Sequence, residues 1–332
     1  PRLNTPHTRT AYSLARMIRA MDGLDLDAAS RYSARLTDPS LGHHSWLGVV
    51  QYRSLLGILR SDVGIEGKRL EQIIDTNRSS LPADGLLLHS LQLMLVSLHL
   101  AQGQTHLAQN VLLDAETESP YIILARAQLH LTIGEHGTAA HLANRVLSQK
   151  SLDLHARASA RAIQAASLLG KGELAESDSA FVDALEYCRI AASLIPVALV
   201  PKSLRDQLIA RSSSAAEWDL IAPVFASESN ATDGAIGGPG DRGAGERLRQ
   251  RLLDLGETLR IRAGHTLLSP SQRQLLALLD TQSSVSAIAA ELSLVEGTVK
   301  NKLSNLYARL GVRNRRDALA RGYEYGYLPT ER

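Results

Sequence analysis

The sequence predicts an all-α fold with more than one hydrophobic core. The chain has 332 residues and is 44% hydrophobic, yet it contains only two Phe and two Trp. This low aromatic content favours packed Leu and Ala helices over a β-sandwich. Apolar residues recur at helical spacing, whereas the alternating pattern of strands is nearly absent. A chain of this length can bury several cores, so we expect helices arranged in separate units.

Five glycines divide the first two thirds of the chain into similar segments. Their spacings are 41, 39, 31 and 36 residues, and an alanine follows five residues after four of them. Gly allows the chain to turn, and Ala allows the second helix to lie close against the first. One helical hairpin cannot bury its own apolar side, so consecutive hairpins are expected to stack. The glycines are Gly23, Gly64, Gly103, Gly134 and Gly170, and the expected hairpins span about 8–37, 43–77, 84–116, 120–149 and 153–190.

The Gly-x-x-x-x-Ala offset resembles that of tetratricopeptide repeats, whose period is 34 residues. The resemblance implies a tetratricopeptide-like sensor or interaction domain over residues 1–226. A helical bundle without repeats is the alternative. Pro196, Pro201 and Pro223 interrupt the last part of this domain, where two capping helices are expected.

A glycine-rich segment at residues 227–245, SESNATDGAIGGPGDRGAG, predicts a flexible linker. Within it, Gly238–Gly243 matches the letters of a G-x-G-x-x-G nucleotide loop. Such a loop is informative only after a strand and before a helix, so we expect no cofactor there. Beyond the linker, a connecting amphipathic helix is expected within 246–263. Its apolar side would be Leu248, Leu252, Leu255 and Leu259.

A strong helix start follows at Ser269. Ser269 suits the N-cap, Pro270 the first helical position, and Gln272 completes a capping box. A shorter helix with Ile288 and Ala289 facing inward is expected next. A third helix begins near Glu296, where Val295 cannot cap with its side chain. Ser293, with Glu296 three residues on, is therefore predicted as an earlier cap.

The third helix has two distinct faces. Apolar residues at i, i+4, i+7 and i+11 form its buried stripe, and Gly311 follows as a left-handed cap. The stripe is Val299, Leu303, Leu306 and Leu310, and the opposite face is Gly297, Asn301, Ser304 and Ala308. Lys300 flanks that face on one side, and Lys302 and Arg309 flank it on the other. Cations can bind phosphates while short side chains let the backbone approach base edges, so this helix suits a DNA major groove.

The C-terminal part of the chain is basic, and the rest is mildly acidic. Residues 246–332 hold 14 Lys and Arg against 9 Asp and Glu. The remaining residues hold 22 basic and 25 acidic side chains, and the net charge of the whole chain is +2. Because the positive charge coincides with the helices just described, an anionic partner is indicated, and double-stranded DNA is the expected one.

The same segment resembles the LuxR-type helix-turn-helix family. The matching motifs are LSP at 268–270, IAAEL at 288–292, EGTVK at 296–300, NLYARLGVRNR at 305–315 and DALA at 317–320. The resemblance covers about 268–328. It implies a four-helix DNA-binding domain over 264–332, whose fourth helix lies near 315–325 and whose recognition helix spans about 296–310.

The resemblance also assigns roles to single residues. In this family the residues after the Thr-Val pair reach base edges, which gives Lys300, Asn301 and Ser304. Apart from the resemblance, the expected phosphate contacts are Thr298, Lys302, Arg309 and Arg315. The family often pairs through its last helix, so Tyr323, Tyr325 and Tyr327 are candidates for a dimer contact. The alternative for these three tyrosines is hydrophobic cover for the last helix.

Catalytic and metal-binding patterns are absent from the sequence. There is no phosphate-binding G-x-x-x-x-G-K-[ST] loop, no H-E-x-x-H and no Cys pair. His43 and His44 form the only His doublet, and His136 and His141 are five apart, which is wrong for one helix face. We therefore expect a protein that is not an enzyme and that binds no metal.

The expected location is the cytoplasm, without a membrane span. No run of about 18 apolar residues occurs, the first residues show no signal-peptide pattern, and a single cysteine, Cys188, fits a reducing compartment.

Together these features predict a transcription regulator. The C-terminal domain would read DNA as a dimer, and a small molecule or protein on the repeats would control it, with RNA polymerase as a further candidate partner. The arrangement resembles the C-terminal part of large LuxR-type regulators of the maltose-regulon-activator-like class, in which case a nucleotide site would lie upstream of Pro1. The alternative is a repeat scaffold whose last helices bind a protein.

Overall fold

The computed structural model describes residues 6–36, 43–82, 85–113, 119–212, 215–225, 243–262, 264–282 and 284–328. Within these ranges the chain forms 18 α-helices and no strand, so the all-α prediction is confirmed. The first ten helices are α1 Pro6–Asp22, α2 Leu26–Ser33, α3 Trp46–Leu59, α4 Val63–Thr76, α5 Leu86–Gln102, α6 Thr105–Leu113, α7 Pro120–Thr132, α8 His136–Leu147, α9 Leu154–Lys171 and α10 Leu174–Ala191. The others are α11 Ile195–Ala198, α12 Lys202–Arg211, α13 Ala215–Phe225, α14 Ala244–Asp254, α15 Pro270–Thr281, α16 Val285–Glu291, α17 Glu296–Leu310 and α18 Arg315–Glu324.

Helices α1 to α10 form five consecutive hairpins. In each hairpin the two helices pack along each other, and the first helix of each hairpin also contacts the first helix of the next. Burial joins these helices into one hydrophobic core that runs from Leu14 to Leu259. This arrangement follows from the amphipathic pattern, because each hairpin covers the apolar side that its neighbour cannot cover alone. We call α1 to α13 the helical body.

The five hairpin turns share one geometry. In each turn a single residue is left-handed, and the residue after it donates a backbone hydrogen bond to the carbonyl five positions earlier, as in Gln104 to His99 at 2.8 Å. The left-handed residues are Leu24, Ser61, Gly103, Gly134 and Gly172. Five positions after four of these lies a small buried residue, because the second helix crosses the first closely there. These small residues are Ala29, Ala108, Ala139 and Ser177.

Two of the glycines predicted to be turns lie inside helices. Gly64 is the second residue of α4, and Ser61 makes that turn with φ of 60°. Gly170 lies in α9, where a Cβ would meet the ring of His136 at 2.5 Å. The glycine is therefore needed there for close packing between hairpins. Ala175, predicted as the close-packing alanine of the fifth hairpin, is exposed.

The predicted connecting helix is shorter than expected. Helix α14 ends at Asp254, and residues 255–262, which we call the strap, continue without helical structure. Leu255 and Leu259 are buried nonetheless, against the helical body. The strap therefore buries the same leucines without helical structure.

The strap follows the edge of the body where the hairpin turns lie. The Ser61 hydroxyl donates to the carbonyl of Glu257 at 3.5 Å. The backbone N–H of Arg260 donates to the carbonyl of Leu100 at 3.2 Å, close to the third turn. Arg262 N–H donates to the carbonyl of Thr132 at 2.7 Å, close to the fourth. The strap thus links successive hairpins.

Residues 227–242 of the predicted flexible linker lie outside the described residues. They include all of the G-x-G-x-x-G match except its last glycine, Gly243. The last residues of the linker belong to α14, which begins at Ala244. A Cβ at Gly245 would meet the Asp219 carboxylate at 2.6 Å and the Trp218 backbone at 2.8 Å, so α13 and α14 approach closely at a position that only glycine fits. No helix in the described part of the chain is long and apolar enough to cross a bilayer.

Candidate nucleic-acid interface

Helices α15 to α18 enclose a second hydrophobic core that runs from Leu268 to Leu328. We call residues 264–328 the C-terminal module. Helix α15 begins as the sequence predicts: the Ser269 hydroxyl accepts from the backbone N–H of Gln272, and the Gln272 side chain accepts from that of Ser269 at 2.9 Å. Both residues satisfy N–H groups that have no partner within the helix, which fixes where α15 starts.

The turn between α16 and α17 differs from the prediction. Helix α17 begins at Glu296, and Val295 is the N-cap residue without a side-chain hydrogen bond. Ser293, predicted as an earlier cap, has φ of 52° and belongs to the turn. Its N–H donates to the carbonyl of Ala290 at 3.2 Å, so the chain has already turned away from α16 at this point. The capping prediction at Ser293 is therefore wrong.

The faces of α17 are divided as the periodicity predicts. Val299, Leu303, Leu306 and Leu310 are buried in the core of the module. Gly311 is the left-handed C-cap, with φ of 67°. Because these apolar residues hold one side of the helix inward, the opposite side faces outward. The exposed residues include Gly297, Thr298, Lys300, Asn301, Lys302, Ser304, Asn305, Ala308 and Arg309.

The structure thus brings six of the seven predicted DNA contacts onto one outer surface of α17. Glu296 is the one carboxylate on this helix, at its first residue, where the helix dipole favours a negative charge. A Cβ at Gly297 would meet open space, so no described residue covers the start of this surface. The surface offers two ammonium groups and short polar side chains, which suit phosphate contact and base-edge contact respectively.

Arg315, the seventh predicted DNA contact, does not lie on this surface of α17. Its side chain is partly buried, and its Nη2 donates to the carbonyls of Leu279 and Gln282. These carbonyls belong to the C-terminal end of α15, where a cation is favourable. Arg315 therefore ties α18 to α15, an arrangement that leaves it poorly placed for a phosphate. Arg309 is exposed, with Nε 3.4 Å from the carbonyl of Leu267.

The three C-terminal tyrosines have partners within the chain. Tyr323 donates to the Asp280 carboxylate at 2.6 Å, which joins α18 to α15. Tyr325 is buried, and its ring lies 4.1 Å from that of His265. Tyr327 donates to the carbonyl of Thr266 at 2.8 Å. These contacts engage all three tyrosines within the chain, and their role in a dimer contact stays a prediction.

Contacts between the C-terminal module and the helical body were missed by the sequence reasoning. Gln109 on α6 donates to the carbonyl of Leu268 at 3.0 Å. Thr105, at the start of α6, shares a hydrogen bond of 3.0 Å with Nδ1 of His265. The ring of His106 meets that of Tyr327 edge-on, with centroids 6.3 Å apart. The module is therefore docked on the third hairpin, with the exposed face of α17 uncovered.

An open groove of about 370 Å³ lies between α9 and α10 of the body. Arg161 and Asp183 form an ion pair of 3.4 Å at its side. Arg161 also donates to the amide oxygen of Gln164 at 2.8 Å. The groove therefore has charged and polar walls. Within the described residues, no group of three or more His, Cys, Asp and Glu side chains could hold a metal ion.

Comparisons with known proteins agree with the geometry of the module. The family model of bacterial regulatory proteins of the luxR family matches residues 266–321. A probable HTH-type transcriptional regulator of Streptomyces halstedii, GfsR, is 48% identical over 54 residues. That match spans 16% of this chain and 22% of the relative. No solved structure matches the chain significantly. The helices, their exposed basic face and this match together identify residues 266–321 as a luxR-family helix-turn-helix domain.

Proposed function

We propose that the chain is a sequence-specific DNA-binding transcription regulator, in which α17 is the recognition helix. The observation that supports this most directly is the outward face of α17, where Asn301 and Ser304 lie between the exposed ammonium groups of Lys300 and Lys302. Phosphate contacts supply most of the affinity of such proteins, and polar side chains in the major groove supply selectivity. Lys300, Asn301 and Ser304 are the proposed base contacts, with Thr298, Lys302 and Arg309 on phosphate.

The test begins with selection of random duplexes by the full chain, followed by measurement of affinity for the selected site. We expect Asn301→Ala to weaken binding to that site by about 1–3 kcal/mol and to relax the preference at one base pair. Asn144→Ala, which changes an exposed asparagine of α8 in the body, is the matched control and should bind like the wild type. Equal weakening on all duplexes would show that Asn301 does not face the bases. No salt-sensitive binding to any duplex would instead favour the protein-binding scaffold.

We further propose that the helical body receives the controlling signal, in the manner of a tetratricopeptide-like sensor. The groove beside Arg161 and Asp183 is the proposed place for a small polar effector, because both charges there are partly exposed. Pairing of two chains on DNA, contact with RNA polymerase and a cytoplasmic location belong to the same proposal. A screen for small molecules that raise the melting temperature of the wild type, but not of Asp183→Ala, would test the groove.

A further inference from the structure

Three histidines lie at or next to the contact between the C-terminal module and the third hairpin. His99 lies at the end of α5, His106 on α6, and His265 in the segment that leads into α15. His106 packs so closely on Gly326 that a Cβ there would lie 2.4 Å from the imidazole carbon. His265 lies against the ring of Tyr325 and shares its Nδ1 with Thr105. Two imidazoles, one from each side, thus form part of the contact itself.

The charged groups around these two imidazoles are mostly cations. His106 faces Arg273 of α15, His265 and the neutral Tyr327. His265 faces Arg262 of the strap together with Arg321 and Glu324 of α18. Glu324 is the one carboxylate among them. A proton added to His106 would therefore meet Arg273, and one added to His265 would meet Arg262 and Arg321 with only Glu324 in opposition. Both rings are partly shielded from water.

Burial lowers the pKa of His106, and the neighbouring Arg273 and His265 lower it further. Burial is also the main cause that lowers the pKa of His265, followed by the charge of Arg262. Next to them, burial lowers the pKa of His99 to about 4. The docked arrangement thus favours neutral rings, whereas a free imidazole titrates near 6.5.

We propose that this contact is a proton-sensitive latch, which holds the C-terminal module on the third hairpin while His106 and His265 are neutral and releases it when they are protonated. The direction follows from linkage: the two imidazoles bind protons more readily in the released state of the chain than in the docked state, so acid favours release. The contact has its full strength above the free imidazole pKa of about 6.5 and weakens as the pH falls through that value. Because α17 stays exposed in the docked state, the latch controls the orientation of the recognition helix relative to the body.

The experiment measures docking in the full chain without DNA, so its result is independent of the proposed function. Ser148→Cys on the body and Ala320→Cys on the module are both exposed and carry a donor and an acceptor dye. Cys188 is buried, so it should remain unlabelled. We expect energy transfer to be constant from pH 8 to 7 and to change below pH 6.5, reversibly and without loss of helical circular dichroism.

Substitutions assign the response to the two rings. A variant with His106→Gln and His265→Gln should stay docked at pH 5.5, while the control His141→Gln, on the exposed side of α8, should release like the wild type. Asp22 titrates in an overlapping range, so release must persist in an Asp22→Asn background. A wild type that stays docked at pH 5.5, a double variant that releases normally, or a response that disappears with Asp22 would each overturn the proposal.

A double variant that fails to dock at pH 7.5 calls for a direct measurement on the wild type. The imidazole resonances of His106 and His265 in the docked chain should then titrate below pH 6.5, together with the change in energy transfer. Titration of either ring at or above pH 6.5 in the docked state would overturn the latch.

Discussion

The guanidinium of Arg205 donates a hydrogen bond of 2.7 Å to the carbonyl of Leu255, in the interior of the protein. The same side chain, fully buried on α12, also donates to the carbonyls of Ala198 at 3.0 Å and Gly256 at 3.1 Å. These acceptors lie on two segments far apart in the chain, the residues before α12 and the strap. Arg205 therefore fixes the strap to the body with a charge that can satisfy several carbonyls at once.

We predict that Arg205→Ala lowers the free energy of unfolding by about 3 kcal/mol, because the carbonyls of Leu255 and Gly256 lose this donor together and the buried side chain leaves a cavity. Urea unfolding measured by circular dichroism tests this. Arg211→Ala on the same helix is the control, since it removes an exposed ion pair with Asp178. It should change the midpoint little. Equal effects of the two substitutions would mean that the hydrogen bonds of Arg205 to the strap do not stabilise the fold.

The strap also explains why one helix prediction was too long. Leu248, Leu252, Leu255 and Leu259 have helical spacing, and a helix through all four is a reasonable inference from that pattern alone. However, the carbonyls of Leu255 and Gly256 accept from Arg205 and not from N–H groups four residues on. The N–H of Arg260 is likewise taken by Leu100. The backbone conformation of this segment thus depends on Arg205, which is about 50 residues away in the chain. The local spacing of the leucines cannot reveal such a distant contact.

Other elements were predictable because their determinants are local. The capping box at Ser269 and the stripe of α17 depend on residues within a few positions, and both are confirmed. The prediction of a cap at Ser293 is wrong although the spacing to Glu296 suits a capping box, because the turn places Ser293 in a left-handed conformation. The exposed face of α17 follows from the stripe. The docking of Tyr327 and His265 on α6 joins residues more than 150 positions apart, for which the sequence carried no recognisable signal.

A buried carboxylate gives a pH-dependent stability. Asp22, at the end of α1, has its pKa raised from 3.8 to about 6, chiefly by burial, although a hydrogen bond with Ser193 opposes this. The folded state holds the proton more tightly, so stability declines as the pH rises from about 4 through 6. We predict that Asp22→Asn abolishes this decline and raises the free energy of unfolding at pH 7.5 by up to about 3 kcal/mol. Asp27→Asn, at an exposed carboxylate, should leave the decline in place.

Gly326 allows a direct test of the docking contact. Gly326 and Gly311 both have positive φ, so alanine strains the backbone at either position by about 1–2 kcal/mol. Only at Gly326 would the new Cβ meet a side chain of the body, the ring of His106 at 2.4 Å, whereas at Gly311 it meets open space. We expect Gly326→Ala to shift energy transfer between body and module at pH 7.5, and Gly311→Ala to leave it unchanged. Matching results for the two variants would argue against docking in solution.

Salt dependence separates phosphate contacts from structural cations. Lys302 is exposed on α17 beside Asn301, so Lys302→Ala should reduce the slope of log affinity against log salt by about one unit and leave the sequence preference unchanged. Lys150→Ala, at an exposed lysine of the body, is the control and should preserve the slope. An unchanged slope for Lys302→Ala would remove this residue from the phosphate contacts.

Substitution of Arg315 should give the opposite result to Lys302→Ala: a loss of stability with an unchanged salt slope. Its guanidinium is bonded to the carbonyls of Leu279 and Gln282, so its removal takes this charged donor from the end of α15. We predict that Arg315→Ala lowers the free energy of unfolding by about 1–3 kcal/mol and preserves the salt slope. The exposed neighbour Arg316 supplies the comparison, since Arg316→Ala should barely alter stability. A slope that falls by one unit with stability intact would restore Arg315 to the predicted phosphate contacts, and would mean that its side chain leaves α15 when DNA binds.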